Sequence, residues 1–179
     1  EMGVMRLLLT APLPRWYLLF AKLLSGTFLS VVQAYVFLVI CIPIIGLLIN
    51  FSTPLIGWIY VLPASILFGM MLGALGLLIS VYIKQLENFA GTMNFVIFPM
   101  FFISSALYPL WRLKDNGAEF VWWLAHLNPF TYGVELVRWA SLGQVYLPGV
   151  IVLLVCTIVF LFFAVIGYDP QKGMTRKGR

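Results

Sequence analysis

Leu147-Pro-Gly-Val-Ile-Val-Leu-Leu-Val-Cys-Thr-Ile-Val-Phe-Leu-Phe-Phe-Ala-Val-Ile-Gly167 runs its whole length without a charged side chain. A helix needs about 20 apolar residues to cross a hydrocarbon core about 30 Å thick, so this stretch decides the medium in which the chain folds. Three more such stretches precede it. They run from about Leu23 to Ile42, extending past Pro43 toward Asn50, from about Leu55 to Ile79, and from about Phe89 to Leu107. A Lys or Asp at the centre of a span costs about 2.5–3.5 kcal/mol on insertion, against a few tenths gained per Leu or Val. None of the four spans carries one. Of the 179 residues, 63% are hydrophobic and 9% charged, whereas a soluble domain has about 45–50% apolar and about 25% charged residues. The chain reads as an all-α, polytopic membrane protein with four transmembrane helices.

The formal net charge of +5 does not mark a nucleic-acid surface, because the basic residues lie at the ends of apolar runs rather than in a patch. Arg6, Arg15 and Lys22 precede the first span, Lys84 sits between the second and third, and Lys172, Arg176, Lys177 and Arg179 follow the fourth. These are eight of the eleven basic residues, and they fall on one side of a four-span topology. The Asn50–Pro54 loop has no charge, and Arg112, Lys114 and Arg138 share a long loop with three acids. The positive-inside rule then predicts cytoplasmic termini in an inner (cytoplasmic) membrane, with a basic cytoplasmic tail over 168–179. Trp16, Tyr17, Trp58, Tyr60, Trp111, Trp122, Trp123 and Tyr168 fall near predicted boundaries, as an aromatic belt requires. The chain opens on Glu1 rather than Met, so further sequence is expected upstream, and no signal peptide is predicted at this start.

The loop over 108–146 is too apolar to float in water and predicts two short helices dipping into the outer leaflet. Asn128 is placed to cap the second of them with Pro129 at its first position. Phe130, Val134, Val137 and Ser141 share a face, while Glu135 and Arg138 are neighbours three residues apart on another. In the second span Ser65, Gly69, Gly73, Gly76 and Ser80 share a face on which two backbones can approach closely, for packing or to line a path. Gln33 and Asn94 are predicted as buried amides in need of partners, and Pro99 as a kink that frees a carbonyl for Ser104 or water.

Two stretches carry a resemblance. The first is Glu1-Met-Gly-Val-Met-Arg6-Leu-Leu-Leu-Thr10-Ala-Pro12-Leu-Pro14-Arg15, running on to Lys22. The second is Pro99-Met-Phe-Phe-Ile-Ser104-Ser105-Ala-Leu-Tyr108-Pro109, followed by Leu127-Asn128-Pro129-Phe130-Thr131-Tyr132-Gly133-Val134-Glu135-Leu-Val-Arg138. In order and spacing they resemble the permease subunits of type-2 ATP-binding cassette (ABC) exporters, over essentially the whole chain. Ser104-Ser105 stands where the family usually has Ser-Gly, and the residues between Leu110 and Glu119 are more charged than in the family. The resemblance implies that the four spans are the third to sixth of a longer permease. It implies a separate ABC ATPase and a permease homodimer in membrane lipid. It also implies a coupling segment over 1–22, in which a helix from Met2 to Leu9 with Arg6, Leu7, Leu8, Pro12 and Arg15 docks on the ATPase.

No phosphate-binding Gly-x-x-x-x-Gly-Lys-Ser/Thr loop occurs, and His126 is the sole histidine. Neither a cofactor, a metal nor a catalytic residue is expected in this chain. Its spans also lack the intramembrane ionisable groups of ion-coupled carriers. Two rivals stand beside the permease: an integral-membrane lipid-modifying enzyme, which would need clustered Asp or His, and a membrane assembly protein without transport.

Overall fold

A computed structural model describes residues 15–49, 54–83, 86–110, 112 and 119–168. Among them the elements are helical: α1 Arg15–Ile49, α2 Leu55–Tyr82, α3 Leu86–Ile103, α4 Glu119–Leu127, α5 Pro129–Ser141 and α6 Leu147–Gly167. Three of the six, α1, α2 and α6, are long and apolar enough to cross a membrane. α1 starts earlier than the predicted Leu23, so the later part of the 1–22 segment is continuous with the first span. The Met2–Leu9 helix, residues 50–53 of the first loop and the basic tail beyond Tyr168 lie outside the described residues.

α3 departs most from expectation. It ends at Ile103 rather than Leu107, and its 18 residues, at about 1.5 Å each, span about 27 Å, less than the hydrocarbon core.

α2 is the hub. Met71 on α2 and Leu153 on α6 are fully buried together with Val61, Ala64, Leu136 and Ala140, and Phe68, Leu72, Val150 and Phe160 pack around them. α1 runs antiparallel to α2. A methyl at Gly73 would lie 2.7 Å from Leu23 Cδ1 and one at Gly69 3.4 Å from Thr27, while at the far end Tyr35 donates to the Trp58 carbonyl at 2.7 Å. α6 runs parallel to α2, with Gly143 against Ile56 at one end and Gly167 against Val81 and Tyr82 at the other. Arg15 and Gly167 therefore lie at the same end of the bundle. The outer faces are apolar, with Phe28, Val36 and Phe37 on α1 and Ile151, Ile158 and Phe162 on α6 exposed. In a membrane such a surface meets lipid.

α5 climbs along α2. Its Gly133 backbone sits against the Phe68 ring, halfway along α2, and its Ser141 carbonyl lies against Gly57 in the first turn of α2. A side chain at either glycine would overlap these atoms, so both glycines permit close approach. α5 closes on Gly143, whose φ of 76° suits glycine. There the Gly143 amide donates to Ala140 at 2.9 Å and the Gln144 amide to Trp139 at 3.0 Å, the paired bonds of a Schellman motif.

Candidate functional site

α3 ends partway up α2, at the level where α5 begins, and a helix end presents four backbone carbonyls without intrahelical donors. Inside a hydrocarbon layer each of these needs a partner from the protein. The Phe101 carbonyl accepts from the Ser104 amide at 3.2 Å and from its hydroxyl at 2.6 Å. The Asn128 amide donates across to the Met100 carbonyl. Just beyond the helix, Arg138 Nη2 donates to the Ser105 carbonyl at 2.8 Å.

Asn128 serves two helices. Its Nδ2 holds the end of α3 while its Oδ1 accepts from the Phe130 amide at 3.0 Å, capping α5. Pro129 in the first turn has no amide to satisfy. Arg138 likewise divides its guanidinium: Nη1 pairs with Glu135 Oε1 at 2.7 Å and Nη2 reaches Ser105. The Glu135 side chain is 13% exposed and that of Arg138 42%. An ion pair in that setting is held by geometry more than by bulk attraction. Phe130 links three helices, its ring edge-on to Phe68 of α2 at 5.0 Å and to Phe101 of α3 at 6.0 Å.

α3 and α5 thus rise in one direction along α2 and meet end to end, joined at the residues of the second resemblance. Beside the joint lies an apolar cleft of about 370 Å³, lined by Leu75, Pro99, Met100, Ile103, Leu124, Leu127, Asn128, Pro129 and Phe160. Ligand pockets occupy about 300–1,000 Å³. At the far end of α5, just before α6, burial pushes the Tyr146 phenol above its ordinary pKa, with Tyr132 and Glu135 adding to the shift, so that hydroxyl stays neutral.

The structure brings together Asn128, Pro129, Glu135 and Arg138. Gly69 and Gly73 face α1, and Gly76 faces Met93 of α3, so these three glycines pack against neighbouring helices, while Ser80 is exposed. Gln33 and Asn94 are exposed on the outsides of α1 and α3, contrary to the expectation of buried amides, because α2 faces the opposite side of each helix. The Ser104 hydroxyl holds the Phe101 carbonyl rather than the one freed by Pro99, which belongs to residue 95. Of the residues predicted to share a face of α5, Phe130 is buried and Val134 and Val137 are partly buried, while Thr131, Gly133, Leu136 and Ala140 complete the side pressed against its neighbours. Arg6, Leu7, Leu8 and Pro12 lie outside the described residues, as does the side chain of Arg15. Sequence reasoning missed the acceptors at Met100 and Ser105. The available signal was a helix ending inside an apolar layer with an Asn and an Arg close behind it.

The family described as ABC-2 type transporter matches residues 1–142. The chain is similar to Nodulation protein J of Rhizobium leguminosarum bv. viciae, 27% identical over 86 residues, 48% of this chain and 32% of that protein. It is also similar to Nodulation protein J of Sinorhizobium fredii (strain NBRC 101917 / NGR234), 28% identical over 91 residues, 51% of this chain and 32% of that protein. The matched stretches span about a third of the length of these relatives. No solved structure matches the chain.

Proposed function

The chain belongs to the ABC-2 type transporter family of membrane proteins, and from that premise we propose that it is part of the permease subunit of an ATP-driven exporter of the inner membrane. The family match over 1–142, on a bundle of membrane-length helices, carries this reading. α1, α2 and α6 make three uninterrupted crossings, and α3 with α5 makes the fourth as two helices in series. α4 and α5 then occupy the outer leaflet, and the basic flanks set both ends of the chain in the cytoplasm. ATP is hydrolysed by a separate ABC ATPase, and two permeases make the complex. The apolar cleft beside the joint is where a substrate with an apolar part meets this chain, since discontinuous helices near the midplane commonly line transport sites.

The coupling segment offers the test. Leu7→Asp with Leu8→Asp should abolish co-purification of the ATPase while the permease still inserts in the membrane. Undiminished co-purification and ATPase stimulation would rule out docking through Met2 to Leu9.

A further inference from the structure

We propose that α3 is the moving half of the interrupted crossing, pivoting at Pro99 about a joint that Asn128 and Arg138 hold fixed. The inference deepens the permease reading, on which it rests for the work the motion would do but not for the motion itself.

Burial changes abruptly along this segment. From Asn88 to Ile103 no side chain is buried, and Phe95 is 80% exposed. The next two residues, Ser104 and Ser105, are 1% and 0% exposed. α3 therefore lies on the surface of the bundle and is anchored through the residues at its C-terminal end. Its described contact with α2 includes Met93 against Gly76, a flexible side chain against a glycine, whose contact is ordinary at 3.5 Å even for an added methyl. Nothing lies within 4 Å of a side chain placed at Gly91.

The anchor is polar and directional. Asn128 on Met100 and Arg138 on Ser105 fix the end of α3 and the segment after it to α5 at two points, and Phe101 against Phe130 adds a ring contact. α5 in turn is pressed onto α2 through Gly133 and Phe68. The joint thus belongs to the rigid part of the bundle. Pro99 sits immediately before it. Without an amide hydrogen, Pro99 leaves the carbonyl of residue 95 unbonded and removes one rung of the helix where bending would be centred. The cleft alongside is lined by Pro99, Met100 and Ile103 of α3 and Phe160 of α6, so the pivot borders open space rather than packed side chains. Two hydroxyls at the joint, Ser105 Oγ and Thr131 Oγ1, are buried without a hydrogen-bond partner among the described residues.

The test uses the full permease in lipid nanodiscs, without ATPase or nucleotide, with Cys41 and Cys156 replaced. Spin labels at Phe95 and Ile158, both exposed, report α3 against α6. A second pair at Leu107 and Trp139 reports across the joint. The 95–158 distance should be broad or bimodal and should collapse to one narrow population in Pro99→Ala, which restores the missing rung. The 107–139 distance should be narrow and should broaden in Arg138→Gln. A 95–158 distribution as narrow as that of 107–139, or one that Pro99→Ala leaves unchanged, would overturn the pivot. If Pro99→Ala does not insert, the Arg138→Gln arm decides alone, with an unchanged 107–139 distance counting against the joint. Because no transport is measured, a failure here is separable from failure of the permease reading.

Discussion

Arg138 is a more costly residue to lose than its ion-pair partner, because it has two jobs. Glu135→Ala removes one acceptor and leaves the guanidinium 42% exposed and still bonded to Ser105. Arg138→Ala leaves both a carboxylate with 13% exposure and the Ser105 carbonyl without their donor. An unsatisfied buried group costs about 1–3 kcal/mol, more when charged. Thermal melts in detergent should therefore rank Arg138→Ala well below Glu135→Ala, and the double variant should regain part of the loss, since the orphaned carboxylate is gone. Equal single effects that simply add would show that the pair is solvated and idle. Residue identity alone foretold the pair, as Glu and Arg three apart on a helix are neighbours. The Ser105 acceptor was not legible, because a backbone carbonyl leaves no mark in the sequence.

At the scale of elements, helix packing here turns on which glycines face another backbone. Gly133→Ala should destabilise by about 1–3 kcal/mol, as overpacking does, because Cβ would enter the Phe68 ring and α5 cannot retreat from α2 without breaking the joint. Gly26→Ala and Gly91→Ala meet nothing within 4 Å and should be neutral or stabilising by up to about 1 kcal/mol, since Ala is the better helix former. Melting temperatures of the three variants check the contrast, and a Gly133→Ala as stable as Gly91→Ala would refute the close α2–α5 approach. The small-residue stripe of α2 was legible in sequence because its spacing has the helical period, and the structure divides it between α1 and α3. The start of α5 was legible from Asn128 and Pro129. The end of α3 was not, because the two serines Ser104 and Ser105 interrupt the apolar run too briefly for hydropathy to register a helix that stops inside the layer.

For the whole molecule, the contacts fix relative direction and the charges supply sidedness. α1 antiparallel to α2, and α2 parallel to α6, put the Arg15 and Gly167 ends together and the turn at Gly143–Gln144 at the opposite end, beside Ile56. Eight of the eleven basic residues flank the first of these ends or extend from it in sequence. The cytoplasmic bias of Lys and Arg in short loops predicts that this end faces the cytoplasm. Single cysteines test both halves of this statement, in a background lacking Cys41 and Cys156. Gln144 is exposed in the turn between α5 and α6, and Ser52 lies in the uncharged loop that precedes α2. Cysteines at these two positions should react with an impermeant maleimide in intact cells. A cysteine at Gln171 should react only after the membrane is opened. Had α3 and α5 not together completed a crossing, Gln144 and Ser52 would label from opposite sides. Had the basic flanks not set the orientation, all three labels would invert together. The two failures give different patterns, so one experiment separates the interrupted crossing from the direction in which the bundle is inserted.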